Sequence, residues 1–208
     1  AGRPVKLVMD RDEVFRASGP TSGTRIKVKM GVTNEGQLTA ADVWMGYEAG
    51  AFSGSPVGAA GMTVIACYDI PNFFVEGFDV VVNKPRVAAY RAPGAPMAAF
   101  AVETVMDELA RGIGIDPIDL RLRNAVVEGT QASYGPKFPR IGFVETLEAI
   151  KNHPQYTAEL GPNQGRGVAA GFWFNAGMNS SATVHINENG TATIVVGSPD
   201  IGGSRQSM

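Results

Sequence analysis

Cysteine is nearly missing from this chain of 208 residues, where Cys67 stands alone. One thiol excludes an internal disulfide and a self-contained cluster of iron and sulfur held by cysteines. Cys67 lies in the apolar run Met62-Thr63-Val64-Ile65-Ala66-Cys67-Tyr68 and reads as a buried structural thiol. Histidine is almost as scarce, with His153 and His185 too isolated to form a metal site at ligand spacing. No apolar run approaches the roughly 20 residues that span a bilayer, and no secretory leader is legible. A soluble, cytoplasmic protein is therefore expected, with Asn179-Ser180-Ser181 and Asn189-Gly190-Thr191 read as turns. An excess of either charge is missing too. Eighteen Lys and Arg stand against 20 Asp and Glu, for a net charge of −2, which gives no case for nucleic acid or an anionic membrane. The nucleophile elbow and the P-loop are also absent.

What is present describes a globular chain, 44% hydrophobic and 18% charged. Glycine is enriched, 26 of 208 residues against a usual share of about 7%, and implies many turns or close backbone approaches. Gly165-Arg166-Gly167-Val168-Ala169-Ala170 matches a loose dinucleotide fingerprint. A polar stretch precedes it and strand-like residues follow, the reverse of what that motif needs, so it is rejected.

Pro4–Met9 reads as a short strand. Arg25 to Met30 alternates, with Ile26, Val28 and Met30 on one face and Arg25, Lys27 and Lys29 on the other. Asn34-Glu35-Gly36 predicts a hairpin loop into a strand over Leu38–Tyr47. Gly50–Gly61 reads as loop or weak helix, and Met62–Tyr68 and Phe73–Val82 as strands. The helix from Pro96 to Ile113 is the clearest element. Val102, Val105, Met106, Leu109 and Ile113 form its apolar stripe, and Glu103, Asp107 and Arg111 are expected to face water, with Asp107 and Arg111 paired. Gly112 or Gly114 ends it. Asp116 then caps a second helix that Pro117 opens and that runs to about Asn124, and Phe143–Lys151 suggests a third. Pro154–Gly165 is the expected linker, followed by a meander of Gly167–Phe174, Ser181–Asn187 and Thr191–Val196 with a turn at Asn189-Gly190. Strands, helices, then strands again predict an α+β fold of mixed sheets and packed helices, with a boundary near residues 155–165.

Two loops invite chemistry. In Tyr90-Arg91-Ala92-Pro93-Gly94-Ala95-Pro96, prolines and glycine preclude regular structure just where a helix begins. Free backbone donors and Arg91 would there meet one anion, although a rigid connector is the plainer reading. In Gly197-Ser198-Pro199-Asp200-Ile201-Gly202-Gly203-Ser204-Arg205, small residues and an arginine follow a β-branched strand. That composition suits close approach to a phosphate or a pterin ring, or makes a plain glycine turn.

Ala89-Tyr90-Arg91-Ala92-Pro93-Gly94-Ala95-Pro96, Glu103, Asp107-Glu108-Leu109-Ala110, Gly114-Ile115-Asp116-Pro117 and Leu120-Arg121-Leu122-Arg123-Asn124 occur in that order. With Gly2-Arg3-Pro4-Val5-Lys6, Arg11-Asp12-Glu13 and the loop from Gly197, they resemble the molybdopterin-binding subunit of the xanthine dehydrogenase and aldehyde oxidase family over essentially the whole chain. The resemblance implies a fragment spanning parts of two molybdopterin-binding domains, residues 1–155 and 156–208. It implies a molybdenum hydroxylase oxidising an aldehyde or an electron-poor heterocycle with water-derived oxygen. Arg91, Ala92, Pro93 and Gly94 would lie near the metal, and Asp200, Gly202, Gly203, Ser204 and Arg205 against the pterin. Partner chains or domains would carry iron–sulfur clusters and a flavin such as FAD, and a small molecule would be the substrate.

The chain begins without methionine and stops in a glycine-rich loop, so an excised piece is expected. The family's catalytic glutamate would lie beyond Met208, which leaves the piece inactive, and apolar surface exposed where missing parts would dock would favour self-association. Many relatives carry phenylalanine at Pro93, glutamine at Gly203, or, in some purine-oxidising members, arginine near Thr21. Those departures argue against xanthine and motivate a rival reading, a non-catalytic scaffold that keeps the fold.

Overall fold

Alternating polarity builds the first sheet. In the computed structural model, which describes residues 2–174 and 179–197, β1 (Thr24–Val32) pairs antiparallel with β2 (Leu38–Gly50). Ile26, Val28 and Met30 turn to the core as expected. β2 is the central strand, burying Val43, Met45, Tyr47 and Ala49 completely on its inner face. β3 (Phe73–Val81) lies parallel to β2, so the sheet is mixed with order β1-β2-β3. A parallel neighbour needs a crossover, and α2 (Val57–Thr63) supplies it.

The crossover overturns the strand expected at Met62–Tyr68. Residues 57–63 are helical and turns carry the chain to Tyr68, because a run apolar on all sides suits a buried helix end as well as a buried strand. Cys67 is buried there and free of disulfide. The strand expected at Pro4–Met9 does not form either. Val5, Leu7 and Val8 are exposed and no strand pairs with them, whereas Asp10 and Glu13 make a reciprocal capping box for a short helix, α1 (Arg11–Ala17).

α3 (Ala95–Ile113) lies against β1 and α2, closing the inner face of the sheet. Val102 and Met106 are fully buried on it, each contributing about 1.5–3 kcal/mol. Gly114, in the left-handed region at φ 71°, ends the helix. Asp116 accepts from Ile118 N and Asp119 N and caps α4 (Pro117–Arg123), with Pro117 in its first turn. Asn124 at the end of α4 is a buried clasp: its amide donates to Gly36 O and Leu120 O and its oxygen accepts from Leu38 N. α5 (Phe143–Lys151) forms as expected, and the turn-rich stretch after it contains one further short helix, α6 (Pro154–Thr157).

Compact units divide at Trp173/Phe174, beyond the expected linker at 154–165, which packs within the first unit. In the second unit, β4 (Ala182–Ile186) and β5 (Ala192–Val196) form an antiparallel hairpin around Asn189-Gly190. The third strand expected at Gly167–Phe174 is irregular chain. The fold is α+β, as the sequence predicts, and no helix among the described residues is long and apolar enough to cross a membrane.

Candidate functional site at the head of α3

The turn before α3 is built by two residues in the left-handed region. Gly94 has φ 88°, and Ala92, which lacks glycine's freedom, has φ 53°. A Cβ on Gly94 would lie 2.5 Å from Pro56 O and against Ala60, so the turn is seated on the start of α2. Tyr47 OH reaches out of the sheet and donates to Gly94 O at 2.9 Å. Burial alone pushes the Tyr47 phenol up to about 12, which keeps it a neutral donor. These contacts fix the inner side of the turn, while Tyr90 and Arg91 are exposed on the other.

The helix head offers fewer donors than expected. Pro93 and Pro96 have no N–H, and Ala95 N is taken by Ala92 O at 3.1 Å. No side chain caps the helix. The charge of the turn therefore comes from Arg91 far more than from α3.

A cavity of about 220 Å³ opens beside the turn. Ala92, Ala95 and Ala99 line it, as do Phe172 and Trp173. Tyr68 and Glu103 line it too. Glu103 was expected to face water and is instead buried. It pairs with Arg121, which α4 brings in fully buried, Nε to Oε2 at 2.8 Å. Arg121 also donates to Asp107 Oδ1 at 2.8 Å and Pro117 O at 2.9 Å. Asp107 thus meets Arg121 in place of the expected Arg111. Burial works against the Arg121 charge, but Tyr68, Glu103 and Asp107 outweigh it and hold the guanidinium above its ordinary value. Tyr68 OH donates to Glu103 Oε1 at 2.5 Å. Burial first, then the Glu103 charge, push that phenol well above its usual range. The same two causes push the Cys67 thiol up to about 12, leaving it protonated and inert.

Arg91, Ala92, Pro93 and Gly94 thus stand together in one turn, with Ala92 at the cavity wall. Asp200, Gly202, Gly203, Ser204 and Arg205 lie outside the described residues. Sequence reading misses Tyr68, Phe172 and Trp173, because a run of apolar residues gives no sign of which one faces a cavity. Glu103 enters the sequence reading as one of the positions that carry the family resemblance, and periodicity puts it on the water face. Among the described residues, no group of histidine, cysteine and carboxylates is placed to hold a metal ion.

Residues 1–125 match the family model described as the molybdopterin cofactor-binding domain. The nicotinate dehydrogenase large molybdopterin subunit of Eubacterium barkeri is 33% identical over 153 residues, covering 72% of this chain and 36% of that protein. The xanthine dehydrogenase molybdenum-binding subunit of Escherichia coli O157:H7 is 30% identical over 218 residues, covering 97% of this chain and 29% of its own length. The solved aldehyde oxidoreductase of Desulfovibrio desulfuricans superposes with a TM-score of 0.67 at 25% identity, over 85% of this chain and 21% of that one. The chain belongs to the molybdopterin cofactor-binding domain family. It spans about a third of the length of these curated relatives.

Proposed function

We propose that this chain forms part of the cofactor site of a molybdenum hydroxylase acting on an aldehyde or an electron-poor heterocycle. One observation carries the reading: the Arg91 turn, inside the stretch that matches the family, is locked on its buried side and presents a cation beside a cavity of small and aromatic side chains. Such a surface fits one edge of a flat anionic group, with Arg91 at the charge and Ala92, Ala95 and Ala99 close enough for a ring to approach. The molybdenum cofactor, when bound, supplies the redox chemistry. The chain's own part is to orient, to keep water from the cavity and to hold charge in place. The Pro93 position lacks an aromatic ring, which disfavours purines that rely on stacking.

Asp200, Gly202, Gly203, Ser204 and Arg205 are further cofactor contacts in this reading, and partner chains or domains with iron–sulfur clusters and a flavin take the electrons. The 208 residues alone enclose too little of the ligand to hold it tightly, because contacts left in water are screened. Oxidation of benzaldehyde and quinoline by the full-length protein in ¹⁸O-labelled water, with a dye as acceptor, tests the reading. Label in the product is expected. A protein fully loaded with molybdenum that oxidises neither compound, nor other aldehydes and heterocycles, would instead favour the scaffold.

A further inference from the structure

Glu103 makes one contact that charge balance does not require. Its Oε2 accepts from Arg121 Nε at 2.8 Å and also from Ala170 N at 2.7 Å. Ala170 lies in the irregular stretch that carries Phe172 and Trp173, and these line the same cavity as Ala92, Ala95 and Ala99. No strand ladder holds residues 167–174. The Phe172 ring is gripped by Tyr134 and Phe138, with centroids 5.7 and 5.6 Å away. That grip holds a ring, and the Glu103 contact holds the backbone two residues before it. The carboxylate has little slack, since Tyr68 holds its other oxygen, and Arg121 is itself tied to Asp107 and Pro117 O.

We propose that Glu103 is a positioning residue, a latch between α3 and the backbone at Ala170 that sets how closely the stretch carrying Phe172 and Trp173 lies to α3 at the cavity. The proposal rests on the reading of this cavity as part of the cofactor and substrate site. The chemistry predicts an order among variants. Glu103→Asp keeps the charge opposite Arg121 but is one methylene short of Ala170. Glu103→Gln keeps an oxygen for both Arg121 and Ala170, and turns its NH₂ toward the Tyr68 oxygen, which accepts as well as donates. Asp107→Asn weakens the other arm of Arg121 and leaves the latch untouched.

The test is amide hydrogen exchange across residues 168–174 of the full-length protein, with Trp173 emission taken as the difference between each sample and its Trp173→Phe counterpart. Glu103→Asp is expected to speed exchange at Ala170 by about tenfold, the scale of one lost hydrogen bond, and to shift Trp173 emission to the red. Glu103→Gln should restore both to within about threefold of the parent, and Asp107→Asn should leave both unchanged. Unchanged Ala170 exchange in Glu103→Asp overturns the latch, as does an equal effect of Asp107→Asn, which would mark general loosening. Molybdenum content, measured on the same samples, reports on the cofactor reading separately. A latch confirmed in a molybdenum-free protein would uphold the geometry and sink only the function.

Discussion

At its head, α3 has no side-chain cap, two prolines in or beside its first turn, and a preceding turn held by backbone conformation and one tyrosine hydroxyl. At Glu103, further along the same helix, the fixing agent is a buried network of carboxylate, guanidinium and phenol with every described arm bonded. The first arrangement has its arginine exposed and the second has its arginine fully buried. Residues that mark a family are therefore of two kinds here. Arg91 is presented outward, whereas Glu103, Arg121 and Asn124 join α3, α4 and the sheet into one body.

The largest effect should come from breaking the inner network. Arg121→Ala leaves Glu103 buried without its cation, and removing one partner of a buried pair costs about 3–5 kcal/mol. The melting temperature of the full-length protein should fall steeply, and a loss below about 1 kcal/mol would make the network ornamental. Gly94→Ala attacks the outer end. A φ of 88° and a Cβ 2.5 Å from Pro56 O predict strain of about 1–3 kcal/mol before any clash is counted. Molybdenum content should fall with it, and a variant as stable and as loaded as the parent would show that the turn is not seated as described.

Alkali probes the inner region early, because it holds a thiol whose ionisation is opposed, whereas the outer turn is held by a phenol, Tyr47, that titrates later. The Cys67 thiol is pushed up to about 12 by burial and then by Glu103, above an unfolded value of about 8.5. A pKa raised on folding gives stability that is complete below the unfolded value and is lost as pH rises toward the folded one. Tyr68 adds the same sign from about pH 10 upward. Urea midpoints should decline between about pH 8.5 and 11, and Cys67→Ala should flatten the early part of that decline. An unchanged slope in this variant would remove the thiol from the account.

Helices and turns with chemical punctuation were legible from residues alone. Gly114, Asp116 with Pro117, and Asn189-Gly190 each act where their conformational or capping preference predicts. The alternation in β1 and the length of α3 were legible for the same reason. Met62–Tyr68 and Pro4–Met9 were misread because apolar composition does not say whether a partner strand exists. Glu103 was misread because its partner, Arg121, comes from the next helix, and a pair 18 residues apart leaves no mark on helical periodicity. The Arg91 turn was legible as a turn, but the loss of helix-head donors to proline and to Ala92 O became plain only in three dimensions.

The smallest effects belong to the surface. Asp12→Ala removes an exposed pair with Arg16 and should change stability by less than about 1 kcal/mol. Ile186→Thr in β4, where Ile186 is 77% exposed, should stay within about 0.5 kcal/mol. A larger cost for Ile186→Thr in the full-length protein would mean that the hairpin is covered there.

The central claim is that the Arg91 turn is an edge of a molybdopterin site, and metal content tests it most directly. The full-length protein, purified from a host that makes molybdopterin, should contain close to one molybdenum per copy by elemental analysis, and Arg91→Ala should lower that content while leaving the melting temperature nearly unchanged. A well-folded parent protein without molybdenum, or an Arg91→Ala variant as fully loaded as the parent, would contradict it.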